Sequence, residues 1–223
     1  AARTWWFDFG PEDDYETPVQ ISYWTSNGAS IMTGGMTGNV PGFDHHVLCT
    51  RNVANGATGG YYIYDITAES PSVVINAKDA DTIFTGRPTI AGNMLIASDR
   101  INGKIHIVDI SDLANPNVVK TIEVNGNPDS ALVVGDYVFI PMGYQGLFRM
   151  KLSQFMNVQV SVNGETSGYN SVQEAVDAAQ GGYVKLMQNV TEDVEISGDV
   201  YLDLNGKTLT GTVSGVGTLY GMD

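Results

Sequence analysis

Short apolar stretches recur along the first 155 residues, some alternating with polar positions and some unbroken, and Gly, Asn, Asp and Pro separate them. Runs of this length and spacing predict strands. The copy opening at Arg87-Pro88-Thr89-Ile90-Ala91 is the clearest. It predicts further strands over Asn93 to Asp99 and Lys104 to Ile110, joined by a hairpin at Ile101-Asn102-Gly103. There Asn-Gly is suited to the positive φ angles of a two-residue turn. After the loop Ser111 to Pro116, Val118 to Val124 reads as an outer strand with one exposed face. The next copy predicts Ser130 to Val134, a turn at Gly135-Asp136, Tyr137 to Pro141 and Gly146 to Leu152.

These copies form a repeat. Tyr61-Tyr62-Ile63-Tyr64-Asp65-Ile66 is echoed by Ile105-His106-Ile107-Val108-Asp109-Ile110 and by Leu147-Phe148-Arg149-Met150-Lys151-Leu152. Asp65 to Asp109 spans 44 positions and Asp109 to Lys151 spans 42, and Trp5-Trp6-Phe7-Asp8-Phe9 reads as a more distant copy. About four strands per repeat, with inner strands apolar on both faces, predict blades that stack side against side around an axis. Val108-Asp109-Ile110-Ser111-Asp112-Leu113-Ala114-Asn115-Pro116, followed by Ala131-Leu132-Val133-Val134-Gly135-Asp136-Tyr137-Val138, resembles the LVIVD-type β-propeller repeat of bacterial and archaeal surface proteins. The resemblance covers about residues 1–155. It implies a secreted or cell-surface setting and supplies no catalytic residues.

The pattern changes after Leu152. In Ser171 to Gln180, Val172, Ala175, Val176 and Ala179 share one helical face, Ser171 and Glu174 have capping-box spacing, and Gly181 stands at the C-terminal end. Strands are predicted at Tyr183 to Asn189, Asp193 to Ile196 and Asp199 to Leu204, the last turning Val200, Leu202 and Leu204 inward. This helix, with Tyr201-Leu202-Asp203-Leu204-Asn205-Gly206-Lys207-Thr208-Leu209-Thr210-Gly211 after it, resembles the start of right-handed β-helix, pectin-lyase-like domains of bacterial surface proteins. The expected fold is therefore mainly β: a partial propeller over 1–155, then a small β-helix-like segment with one capping helix over 156–223. A partial ring and an unfinished coil imply contacts with further parts of a longer polypeptide or with other copies of the chain.

Composition narrows the partners. Eleven Lys and Arg against 25 Asp and Glu leave a formal charge of −14, which repels nucleic-acid phosphates and anionic lipid surfaces. No apolar run is long enough to predict membrane insertion. Cys49 is the only cysteine, so no intrachain disulfide forms, and it reads as a small buried apolar residue.

Candidate chemistry is sparse. His45 and His46 are adjacent and His106 is distant, a poor basis for a metal centre that needs three or four converging ligands. Glu12 to Glu16 and Asp79-Ala80-Asp81 offer carboxylates for weak calcium binding without the spacing of a calcium loop. Gly34 to Gly38 lacks the Lys-Ser/Thr ending of a phosphate loop. No catalytic, cofactor or metal residue is assigned. Trp5, Trp6, Trp24, Tyr61, Tyr62 and Tyr144 form a candidate aromatic platform for a sugar or peptide, with stacking between blades as the competing role. The expected function is a non-catalytic module for binding, adhesion or structural display on a bacterial exterior, with a protein or carbohydrate ligand. The alternative is an accessory region of a larger polysaccharide lyase or glycoside hydrolase.

Overall fold

The alternating stretches become antiparallel meanders, and the last third of the chain becomes an antiparallel hairpin followed by parallel ladders. The fold is that of a computed structural model describing residues 3–8, 19–25, 36–38, 40–50, 59–66, 72–79, 84, 86–179 and 181–222. Strands β1 (Arg3–Asp8) and β2 (Val19–Thr25) pair antiparallel. The first meander holds β3 (Met36–Thr37), β4 (His46–Thr50), β5 (Gly59–Asp65) and β6 (Ser72–Asp79). The second holds β7 (Thr89–Ala91), β8 (Met94–Asp99), β9 (Lys104–Asp109) and β10 (Asn117–Glu123). The third holds β11 (Leu132–Val134), β12 (Tyr137–Pro141) and β13 (Leu147–Lys151). Each runs in sequence order, as short connections dictate.

Period-two alternation sorts the core. Successive residues on a strand face opposite sides. Leu95, Ala97 and Val108 therefore pack with Leu48, Tyr61 and Ile63 of the first meander, whereas Met94, Ile96, Ile105 and Ile107 pack with Val138, Ile140 and Met150 of the third. All six residues of β8 are buried because it is covered on both faces; β10, at the sheet edge, is largely exposed. A repeated hydrogen bond ties the meanders together. Thr50 donates its hydroxyl to the Gly86 carbonyl at 3.3 Å, and Ser98 donates to Asp129 at 2.8 Å. Thr50 lies opposite Tyr61 and Ser98 opposite Ile105, the same place in the repeat. The third meander has Pro141 there, opposite Leu147, and no hydroxyl to offer.

The hairpin at Asn102-Gly103 differs from the expected two-residue turn. Only Gly103 has a positive φ (64°), and the Asp99 carboxylate instead holds the turn by accepting from the Ile101 and Asn102 amides, each at 3.1 Å. The two-residue geometry occurs at Asn163-Gly164 (φ 52° and 85°), between β14 (Val158–Val162) and β15 (Glu165–Tyr169). No strand was expected in that stretch.

Helix α1 (Val172–Ala179) follows, buried along the expected face of Val172, Ala175, Val176 and Ala179. Its capping is only half the expected box. The Glu174 amide donates to the Ser171 hydroxyl oxygen at 3.2 Å, but the carboxylate that completes the cap belongs to Glu192. Glu192 accepts from the Ser171 hydroxyl (2.6 Å) and from the Val172 (2.7 Å) and Gln173 (3.0 Å) amides.

The remaining strands are β16 (Tyr183–Leu186), β17 (Val190–Thr191), β18 (Val194–Ile196), β19 (Val200–Asp203), β20 (Leu209–Thr210), β21 (Val213–Gly215) and β22 (Leu219–Met222). They pair in parallel: β16 with β19 and β19 with β22, β17 with β20, and β18 with β21. Three side chains fix this register. Asn189, Asp193 and Asp199 each accept a hydrogen bond from the amide 19 residues further on, at Thr208, Thr212 and Thr218. Tyr183, Tyr201 and Tyr220, register partners at offsets of 18 and 19 residues, stack with ring centroids 5.0 and 4.7 Å apart. Inside, Val184, Leu186, Val194, Ile196, Val200 and Leu202 pack against α1 and against Val158 and Val160 of β14.

Apolar packing continues across the boundary expected at 155/156, because Met187 joins the core of the second and third meanders. Asn170 donates to the Asp109 carboxylate at 3.0 Å, Gln159 to the Gly135 carbonyl at 3.1 Å, and Gly92 bridges Gly168. The chain is thus mainly β with one α-helix among the described residues. None of its described sheets closes on itself.

Candidate functional site

The first strand of the second meander, β7, and of the third, β11, are sheet edges, and so is β15. An edge strand carries main-chain N–H and C=O groups with no ladder on its outer side. These three edges meet around a cavity of about 500 Å³, closed on another side by Pro41. The size is that of a small-ligand site. Close backbone approach shapes it: Gly92 has φ 63°, and a Cβ there would lie 2.6 Å from the Gly168 carbonyl oxygen. Thr89 donates its hydroxyl to the Ala131 carbonyl at 3.0 Å and so pins β7 to the segment leading into β11.

Thr166, Ser167 and Tyr169, three hydroxyl-bearing residues of β15, line the cavity. Burial first, and the negative charge of Glu174 second, push the Tyr169 phenol above its ordinary pKa, so it stays protonated and able to donate. Tyr169 is the only ionisable residue among the twelve that line the cavity. The lining offers hydrogen-bond donors and acceptors and apolar contact with Ile90, Leu132 and Val133. Such a lining suits neutral polar or extended ligands, by the same edge chemistry that adds a strand to a sheet.

Among the expected platform aromatics whose side chains are described, Tyr61, Tyr62 and Tyr144, none lines this cavity. Tyr61 is fully buried and donates its hydroxyl to the Leu113 carbonyl at 2.7 Å, which makes it a core contact with no ring face for a ligand. Tyr62 is half-buried with its ring centroid 5.8 Å from that of Tyr64, while Tyr144 stands fully exposed on a turn of the third meander. Trp5 and Trp6 lie on β1 and Trp24 on β2, with Trp24 opposite Thr4; their side chains lie outside what is described. The platform residues are thus spread over separate sheets. Thr, Ser and Gly at strand edges carry no distinctive sequence signal; the clues to this edge are the Asn163-Gly164 turn and the alternation Val158-Gln159-Val160-Ser161-Val162 before it.

His46 donates from Nδ1 to the Asp44 carbonyl at 2.5 Å, with its ring against Phe43, while His45 adopts φ 56°. His106 is buried, 2.9 Å from the Thr121 hydroxyl and beside Phe84. Glu12 to Glu16, Ala80 and Asp81 lie outside the described residues, as do Gly34 and Gly35. Among the described residues no three His, Cys, Asp or Glu side chains converge as a metal site. Cys49 is buried, and burial pushes its thiol up to about 12. No helix among the described residues is long and apolar enough to cross a membrane.

Searches with known families and with curated proteins found no match to this chain. Fold and cavity together define a mainly β chain that presents a neutral pocket ringed by strand edges.

Proposed function

We propose that this chain is a non-catalytic binding, adhesion or display module of a secreted or cell-surface bacterial protein. In this reading the meanders are blades of a partial propeller of the LVIVD type, and the parallel ladders are the first coils of a β-helix that serves as stalk or connector. The 44- and 42-residue repeat and the shared Thr50 and Ser98 hydrogen bonds support the first part. The 19-residue parallel register supports the second. The observation that carries the functional part is the cavity at β7, β11 and β15, whose described lining residues supply hydroxyls and strand edges and, among them, no carboxylate, imidazole, thiol or amine for proton transfer.

The test uses the whole chain and a panel of neutral oligosaccharides and extended peptides. Binding is followed by titration calorimetry, and the ligand is recovered for mass analysis. The half-buried Thr166 is replaced by Trp to fill the cavity, with circular dichroism confirming the fold. Binding of an unaltered ligand that weakens at least about tenfold in Thr166→Trp is the expected result. Cleavage of the ligand, binding that ignores the replacement, or no binding by any member of the panel would overturn the reading.

A further inference from the structure

Four of the eleven basic residues of this strongly acidic chain gather at the joint between the third meander and the parallel ladders. Lys151 ends β13, Lys185 lies on β16, Lys207 sits in the turn before β20, and Arg149 lies over the Tyr137 ring at 4.8 Å from its centroid. Lys151 and Lys207 line one recess of about 180 Å³ together with Asp136, Tyr137, Ser153 and Asn205.

The acids nearby are accounted for. Asp136 pairs with Lys185 at 3.3 Å. Asp203, the register partner of Lys185, accepts from the Asn205 amide at 2.7 Å. Lys151 and Lys207 have no carboxylate within ion-pair distance among the described residues. The recess therefore holds two lysines without an ion-pair partner, beside one carboxylate, Asp136, that is already paired with Lys185, in a molecule whose overall field is negative. A concave wall concentrates such a local field.

The recess is also built rather than incidental. The Asp136 carbonyl accepts from the Leu152 amide at 2.9 Å, and the preceding Gly135 carbonyl accepts from the Gln159 side chain at 3.1 Å. On the opposite wall Asn205 holds the left-handed conformation (φ 50°) and donates its side-chain amide to the Leu186 carbonyl at 3.0 Å. Ser153, whose hydroxyl can donate, also lines the recess. Lysines on two separate elements, facing one pocket with neutral donors between them, match a compact oxyanion.

We propose that this recess is an anion-binding site that takes a single carboxylate or sulfate group, free or carried on one sugar unit. Lys151 and Lys207 neutralise its charge, and Ser153 and Asn205 orient it. The site is separate from the neutral cavity at β7, β11 and β15 and stands or falls independently of it.

Amide NMR titration of the intact chain with galacturonate, galactose and sodium sulfate tests the proposal, with Lys151→Met/Lys207→Met as the variant and Lys151→Arg/Lys207→Arg as the conservative control. Expected are saturable shifts at Ser153, Asn205 and Gly206 with galacturonate, weakened at least about fivefold in the Met pair and by 0.5 M salt, and retained in the Arg pair. Equal affinity for sulfate would support a free anion as the source, and tighter galacturonate would support a sugar-borne one. Equal response to galactose, indifference to the Met pair, or no response to either anion would overturn it.

Discussion

In the meanders, β8 hands Leu95 and Ala97 to one neighbouring sheet and Met94 and Ile96 to the other, whereas in the ladders Val184, Leu186, Val200 and Leu202 all turn into one interior shared with α1. Antiparallel hairpins set register at their turns, so a turn residue answers only to its own loop. Parallel strands have no such turn. Their register is held by contacts between one coil and the next, through Asn189, Asp193, Asp199 and the stacked tyrosines. Residues with the same local conformation should therefore differ in importance according to region.

Glycine gives the largest expected contrast. Gly215 in β21 has φ 118°, and a Cβ there would fall 2.1 Å from the Ile196 carbonyl oxygen of the adjacent coil; Gly135 in the β11–β12 turn has φ 54° and open space around it. Gly215→Ala combines backbone strain with a collision against main chain and should cost about 3 kcal/mol or more. Gly135→Ala carries left-handed strain alone, about 1 to 2 kcal/mol. Urea unfolding of both variants checks the difference. Equal losses would mean that the coils do not touch at Gly215.

A smaller effect is expected at Glu192, which joins one coil to the helix that covers it. Burial raises the carboxyl pKa, but the bonds from Ser171, Val172 and Gln173 outweigh burial and hold it below the usual glutamate value. The folded form thus binds its proton less readily than the unfolded chain. Its contribution is complete above the ordinary glutamate pKa and is lost as pH falls through the lowered folded value. Glu192→Gln should lower stability near neutral pH by about 1 to 2 kcal/mol and flatten this part of the acid limb. Urea midpoints measured across the carboxylate range check both, and an unchanged acid limb would contradict the assignment.

Much of the scaffold was legible from alternation and turn residues. The strands of the second and third meanders, the buried face of α1 and the inward positions Val200 and Leu202 all lie where the pattern placed them. The hairpin of β14 and β15 was missed although Val158, Val160 and Val162 alternate with Gln159 and Ser161 ahead of Asn163-Gly164; the weak half is β15, whose apolar residues are few and which Gly168, pressed against Met156, interrupts. The partner that completes the helix cap lies 20 residues from Val172, beyond any local motif. The neutral cavity was invisible for a similar reason: its walls come from three strand edges far apart in sequence. Tyr61 shows the converse limit, since an aromatic residue in a repeat reads alike whether it faces a ligand or the core.

The 19-residue parallel register is the claim on which the contrast between the two regions rests, and a disulfide reads it directly. Tyr201 lies opposite Tyr220, whereas Gly221 lies opposite Leu202 and so belongs to the other face of the strand. Parallel neighbours lie about 4.8 Å apart, within the Cα range of a disulfide, about 4.4 to 6.8 Å. The native thiol, buried at Cys49 and raised to about 12, competes poorly for oxidation. Tyr201→Cys/Tyr220→Cys should close an intramolecular disulfide in the folded protein under mild oxidation, seen by mass spectrometry of a tryptic digest, and Tyr201→Cys/Gly221→Cys should not. Closure of the second pair in preference to the first, or of neither, would contradict the register.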